Sequence, residues 1–351
     1  MRTVLSIAAL WTLSGAPACA GDSGGAAAPF LTMPSGAREA AMAGAFTAIA
    51  DDASSVFSNP AGAALAPRHE LALSHAEWLQ GLKAENLAYV HALDAGRTVG
   101  AGLTMLRSGS MQGYDSAGGE TASFSSNEGA ASFAYAQGLG GGFHAGAAAK
   151  GIWQRVAGEQ ATAWALDAGL VKTWEEFRLG IAVQNLGTKL KLYSEAFSLP
   201  TAFRAGGAWR VKDRAWVSLE AAQSREGGLA AALGVEGELR LTETEAILPR
   251  FGYRSGRSEG AGIGVTAGLG LRVRVFQVDY AFSPYGDLGN THRLSFGLRF
   301  GPVRGGETVR SYPADVPRIK PRANGKARAN GRGKAEPKPK KWNEPTYLMV
   351  D

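Results

Sequence analysis

The segment Asn290–Phe300 constrains the fold more than any other stretch, because its apolar residues Leu294, Phe296, Leu298 and Phe300 alternate with Arg293, Ser295, Gly297 and Arg299. A period of two places one set on each face of a strand. One face is wholly apolar and the other is charged or tiny, which suits a wall with lipid on one side and a wet lumen on the other. From Arg68 to Phe300 the chain repeats this pattern. Strand centres are expected near Leu73, Tyr89, Leu103, Phe133, Ala147, Leu166, Ile181, Gly206, Leu219, Leu233, Phe251, Val265, Val278 and Phe296. A spacing of about seventeen residues fits tilted ten-residue strands with short connections. The expected fold is therefore all-β, a fourteen-stranded antiparallel transmembrane β-barrel.

The connections carry independent information. If the first strand starts in the periplasm, the inner turns (94–97, 138–142, 174–176, 212–214, 241–245 and one near Arg272 to Arg274) are all short, whereas the outer loops 108–126, 187–199 and 283–291 are long. Outer-membrane barrels are built this way, and an even strand count returns the chain to the periplasm. Inward positions carry Arg178, Arg204, Arg210, Arg293 and Arg299 against Asp167, Glu220, Glu236 and Asp279. Such a lumen pairs its charges across the bore and holds water or a polar plug. Glycine, at 48 residues, is about twice its usual share, and in a strand it suits a crowded wall or the close approach of a plug.

Residues 1–20 have the layout of a secretory signal peptide, with Arg2, a short apolar run and the small-x-small site Ala18-Cys19-Ala20. A lipoprotein site at Cys19 is the alternative, but Ala16-Pro17-Ala18 is a poor lead-in. Cys19 is the only cysteine, so cleavage after Ala20 leaves no thiol. Downstream there is no apolar run of about eighteen residues, which excludes a helical membrane protein. With a signal peptide, the Gram-negative outer membrane is the expected location.

The net charge of +6 is unevenly distributed, since residues 304–351 hold twelve Lys and Arg against five Asp and Glu. The domain reading is 1–20 signal peptide, 21–67 leader and an apolar block that does not alternate, 68–300 barrel, and 301–351 a disordered basic arm in the periplasm. Behind a signal peptide such a tail does not point to nucleic acid, and none is expected as a partner. Within the block, 52–57 reads as a short helical turn with Asp52 as its cap, stopped by Asn59-Pro60. A small apolar segment ahead of a barrel can sit inside it.

Three ordered motifs carry a family resemblance: Phe30 to Arg38 followed by Met42 to Gly62, with Asp51, Asp52, Asn59, Pro60 and Ala61; Val183-Gln184-Asn185-Leu186-Gly187 ahead of a loop ending in Leu199-Pro200; and Val278 to Arg293. The chain resembles the PorV/PorQ family of outer-membrane proteins, distant relatives of the FadL hydrophobic-compound channels. The resemblance covers residues 30–300 and implies a fourteen-stranded barrel with an N-terminal hatch, in which Asn59-Pro60-Ala61 marks the passage from hatch to wall. The basic tail has no counterpart in it.

Chemistry finds little support. Gly262-Ile263-Gly264-Val265-Thr266-Ala267 approximates a dinucleotide fingerprint, but no helix follows to meet a phosphate. His69, His75, His91, His144 and His292 lack ligand spacing. Asp51-Asp52 has no further oxygen-rich positions of a calcium loop, and Ser54 and Ser55 have no activating histidine nearby in sequence. The expectation is a non-enzymatic barrel with no catalytic, metal or cofactor residues. The charged lumen favours a plugged barrel serving protein secretion or surface-protein docking, with a FadL-like channel for hydrophobic compounds such as long-chain fatty acids as the alternative. The partners are then membrane lipid, with secreted or secretion-machinery proteins in the first case and hydrophobic small molecules in the second. Leu190, Leu192, Tyr193, Phe197 and Leu199 cluster in one outer loop and are expected to form an exposed binding surface there.

Overall fold

In the computed structural model, residues 25–303 are described apart from 94, 95, 193, 226, 227, 258 and 259; the signal peptide and the basic tail expected from the sequence fall outside the described residues. Each of the fourteen expected centres lies on its own strand. The strands are β1 (His69–Glu77), β2 (Lys83–Ala92), β3 (Arg97–Arg107), β4 (Ser126–Gly140), β5 (Phe143–Val156), β6 (Glu159–Thr173), β7 (Phe177–Gly187), β8 (Ala202–Val211), β9 (Ala215–Ser224), β10 (Gly228–Gly237), β11 (Glu245–Arg254), β12 (Val265–Val273), β13 (Phe276–Pro284) and β14 (Asn290–Phe300). Each pairs antiparallel with its neighbours in sequence. β14 returns to β1 in the register His69↔Phe300 to Glu77↔His292, which closes the barrel and leaves no edge strand.

Facing follows the period of two. Phe177, Leu179 and Ile181 are exposed on the outside of β7, while Gly180, Ala182 and Gln184 are buried inside; β13 repeats this with Phe276, Val278 and Tyr280 outside and Gln277, Asp279 and Ala281 inside. No helix among the described residues is long and apolar enough to cross a membrane. Beside the short turns, Tyr135, Phe143, Trp174, Phe177, Trp209, Phe276 and Phe300 form an outward aromatic belt, as at the interface level of a membrane barrel.

The alternation of short and long connections is incomplete: 78–82 and 285–289 at the loop end are shorter than 238–244 at the turn end, so the loop expected to be long at 283–291 is a short one. At the loop end, β5 and β6 are joined only by Ala157 and Gly158, both at positive φ, the backbone of a tight hairpin turn. The strands themselves supply the height here, because β4, β5 and β6 run to 15, 14 and 15 residues. Two small hairpins, Met111–Tyr114 with Glu120–Phe124 and Leu190–Leu192 with Glu195–Phe197, stiffen the long loops.

Residues 27–66 fill the bore. They contain only short helical pieces: 3-10 turns at Pro29–Thr32 and Pro60–Leu65, and the helices α1 (Ala37–Ala41) and α2 (Ser55–Ser58). The segment begins at the loop end, where the Ala27 amide donates to Ser198 O at 3.0 Å, and leads into β1 at the turn end. Inward glycines give it room. A Cβ on Gly169 would lie 1.8 Å from Asn59 Oδ1, one on Gly180 2.5 Å from Thr47 O, and one on Gly252 2.4 Å from Met42 C. The high glycine content thus has a local reason: the segment's backbone lies directly against the wall.

Candidate functional site

Two features of the bore have the geometry of a site: an ionic clasp that holds the segment, and a cavity above it at the loop end. The clasp centres on Arg38 in α1. Its Nε donates to Glu236 Oε2 at 2.8 Å, and its Nη1 donates to Asp51 Oδ1 at 2.7 Å and Asp52 Oδ2 at 2.9 Å. Asp51 also accepts from Arg178 Nη1 at 2.9 Å. Burial opposes the charge on Arg38, but Glu236, Asp51 and Asp52 overcome it and hold the guanidinium well above its usual pKa. Burial likewise works against the Asp51 carboxylate, yet Arg38 and Arg178 keep it far below the usual carboxylate range. Glu236 is shared with Arg250, a fully buried side chain that also bonds Asp279 at 2.6 Å.

The wall also satisfies the segment's irregular backbone. Glu220 accepts from the amides of Phe46 and Thr47 at 2.9 and 2.8 Å, Ser295 Oγ accepts from Ala37 N at 2.8 Å, and Thr266 Oγ1 donates to Ala41 O at 2.8 Å. Buried backbone without regular structure needs such partners. Asn59 serves within the segment, donating to Thr47 O at 2.8 Å and accepting from Ala61 N at 3.2 Å, so that Asn59, Pro60 and Ala61 form a buried corner against Gly146 and Gly169. Asp52 accepts from the Ser54 amide at 2.9 Å and from its hydroxyl, just ahead of α2.

The motif Val183 to Gly187 is a bulge. The β6–β7 register shifts between Leu166 and Ala168, with Asn185 at φ 58°. Gln184 then reaches into the bore and donates to Phe57 O at 2.8 Å and Ser58 O at 2.7 Å. The Asn185 amide donates to Asp167 Oδ1 at 2.8 Å, and its side chain takes a hydrogen bond from Lys150 Nζ at 2.9 Å and donates to Pro200 O at 3.2 Å. One irregularity therefore ties the segment, the wall and the end of the long loop together.

Above the segment lies a cavity of about 500 Å³. One side is apolar, with Phe30, Leu31, Met33, Ala84, Leu106 and Ala130; the other carries Lys150, Arg204, Arg254, Arg257 and Tyr285, with Glu39 facing them. Leu190 and Leu199 are only 1% and 2% exposed and pack with Phe30, Ile152 and Ala165, while Leu192 and Phe197 are half-buried against the same cluster. These loop residues therefore do not form an exposed patch. The Leu190–Leu192 hairpin folds its apolar side onto the tall strands β5 and β6, where burial is available. Tyr193 lies outside the described residues.

Sequence reading placed Asp51, Asp52 and Asn59 in one motif but missed Arg38 as the partner of the two aspartates, and it missed Lys150, Arg250 and the cavity residues Trp78 and Tyr285. Parity along β5 and β11 would have turned Lys150 and Arg250 inward; nothing local signals the pairing of Arg38 with Glu236, 198 positions away. Among the described residues no group of three or more His, Asp or Glu is placed to hold a metal ion.

The fold and its bore define a class, the closed transmembrane β-barrel whose lumen is occupied by its own N-terminal segment. A model of the uncharacterised protein family UPF0164 matches residues 20–150. The barrel is similar to the toluene transporter TodX of Pseudomonas putida, at 13% identity over 75% of this chain and 96% of that one with a TM-score of 0.53. It is also similar to a Pseudomonas aeruginosa FadL homologue, at 12% identity over 76% and 98% with a TM-score of 0.52, and to the CymD monoaromatic hydrocarbon channel, at 13% identity over 76% and 98% with a TM-score of 0.54. At this identity the likeness is one of fold. No curated protein matches the sequence.

Proposed function

We propose that this protein is an outer-membrane barrel that binds a hydrophobic or amphipathic small molecule at its loop end, with residues 30–66 acting as a hatch that closes the bore beneath it. The supporting observation is the 500 Å³ cavity between the loop-end wall and the N-terminal segment, apolar along one side, in the kind of concave, mostly preformed space that ligands occupy. Barrels of the same fold include a monoaromatic hydrocarbon channel and a toluene transporter, which favours a hydrophobic ligand. The test is binding and passage. A long-chain fatty acid and toluene are offered to the purified protein, and planar-bilayer conductance is recorded with and without residues 30–66. The reading expects binding by the intact protein and a conductance that rises on deletion. Equal conductance removes the hatch, and failure of both ligands removes the binding reading.

A second reading, a sealed barrel that docks a secreted or surface protein, draws support from the clasp: Arg38 holds three carboxylates at once, which suits a plug that stays in place. It expects no small-molecule binding and capture of a protein partner that depends on the loops 108–125 and 188–201.

A further inference from the structure

The polar side of the loop-end cavity is out of charge balance. Lys150 is matched by Asp167 at 2.6 Å, and Arg204 by Glu220 at 2.6 Å with Glu39 at 3.6 Å. Three further arginines have no carboxylate within ion-pair distance among the described residues. Arg254, at the end of β11, comes up against Gly44. Arg257 donates only to the carbonyls of Ala261 and Pro284, at 3.1 and 2.6 Å, and lies 4.1 Å over the Tyr285 ring. Arg293, inward on β14 and 3% exposed, has both Nη atoms buried without a hydrogen-bond partner. The groups that act electrostatically on it are Glu39 and Tyr285, and both line the cavity.

Arg254 and Arg257 are half-buried in the lining of the cavity, while Arg293 is buried beyond that lining; two cations that face one cavity without an anion call for a ligand that supplies the missing charge. A monocarboxylate would answer one of them. A phosphate-type dianion presents several acceptor oxygens and suits the planar, forked guanidinium. The opposite side, with Phe30, Leu31 and Leu106, suits a hydrocarbon chain and offers nothing to a bare anion.

We infer that the loop-end cavity is a phosphate-binding site formed by Arg254 and Arg257, and that its ligand is a phosphate-headed amphiphile whose chain lies along Phe30, Leu31 and Leu106. This deepens the small-molecule reading above and rests on it. Free phosphate shares the head-group chemistry, so the test separates the two sources.

The full-length protein, in an uncharged maltoside detergent, is titrated calorimetrically with dodecyl phosphate, dodecanoate, dodecanol and inorganic phosphate. Dodecyl phosphate is expected to bind at least about tenfold more tightly than dodecanoate, as one additional charged hydrogen bond implies. Arg254→Gln and Arg257→Gln each weaken it by a similar factor, while Arg155→Gln, on the exposed end of β5, leaves it unchanged; faster migration of the unboiled protein on detergent gels shows that each variant is folded. Inorganic phosphate that displaces the probe at the probe's own concentration supports the arginine site and assigns it to the free anion. Equal binding of dodecanol and dodecyl phosphate, indifferent to both variants, overturns the anion site and leaves the hydrophobic-ligand reading standing. Failure of all four probes to bind overturns both.

Discussion

The wall and the segment it encloses are stabilised in opposite ways. In the wall, nearly every backbone group is paired with a neighbouring strand, and the side chains only have to respect which face they occupy. In residues 27–66 the helical pieces run to six residues at most, too short to be stable by themselves. What fixes that region is a set of individual side chains: Arg38, Glu220, Gln184, Asn59 and Arg204. A repeating ladder spreads its stability over many equivalent bonds, whereas the segment concentrates it in a few. Single substitutions should therefore act on the wall through facing and on the segment through partners.

The largest effect is expected from breaking the facing rule. Phe296→Arg places a charge on the lipid side of β14 at a cost of about 2–4 kcal/mol and should block membrane assembly, whereas Phe296→Leu should assemble. Heat-modifiable mobility on detergent gels reads this directly; a folded, fast-migrating Arg variant would mean that the outward face does not meet lipid.

Next comes the clasp. Arg38→Ala leaves Glu236, Asp51 and Asp52 short of a partner, and breaking a buried ion pair costs about 3–5 kcal/mol, reduced here because Arg250 and Arg178 still serve two of the three. The barrel should remain intact while the bore segment becomes open to protease and conductance rises. A variant with both properties unchanged would show that the clasp does not hold the segment.

The glycine clearances sharpen the comparison further. In Gly252→Ala the new methyl meets backbone of Met42 and Ala43, whereas in Gly102→Ala it meets the outer edge of the Phe57 ring. Overpacking against backbone costs about 1–3 kcal/mol, so Gly252→Ala should lower the thermal midpoint of segment release more than Gly102→Ala. The reverse order would place the segment differently from the structure.

The smallest effect is that of pH. The folded Asp51 lies below the ordinary carboxylate value of about 3.9, so its contribution is fully present above that value and is lost only as pH falls beneath it toward the folded one. Conductance that is flat between pH 7 and 5 and rises below about 4 fits the clasp; a rise already at pH 5 would exclude Asp51 as its pH-sensitive member.

The fourteen strands were legible in the sequence because facing is a local property: Phe296 and Ser295 declare their sides by parity alone, and so do Ile181 and Ala182. The family resemblance singled out Val183 to Gly187, and Asn59-Pro60 stood out as the stop of a helical turn; the structure makes the first a bulge and the second a buried corner. Sequence could not say that Asn185 turns Gln184 onto the carbonyls of Phe57 and Ser58, or that the loop leucines fold down onto Phe30 and leave no exposed patch. Those outcomes depend on which wall face each loop meets after closure. The pairing of Arg38 with Glu236, and the gathering of Lys150, Arg204 and Arg254 around one cavity, exist only because closing the sheet brings distant strands to opposite sides of one bore. Period-two patterning determined the wall, and barrel closure decided what the wall encloses.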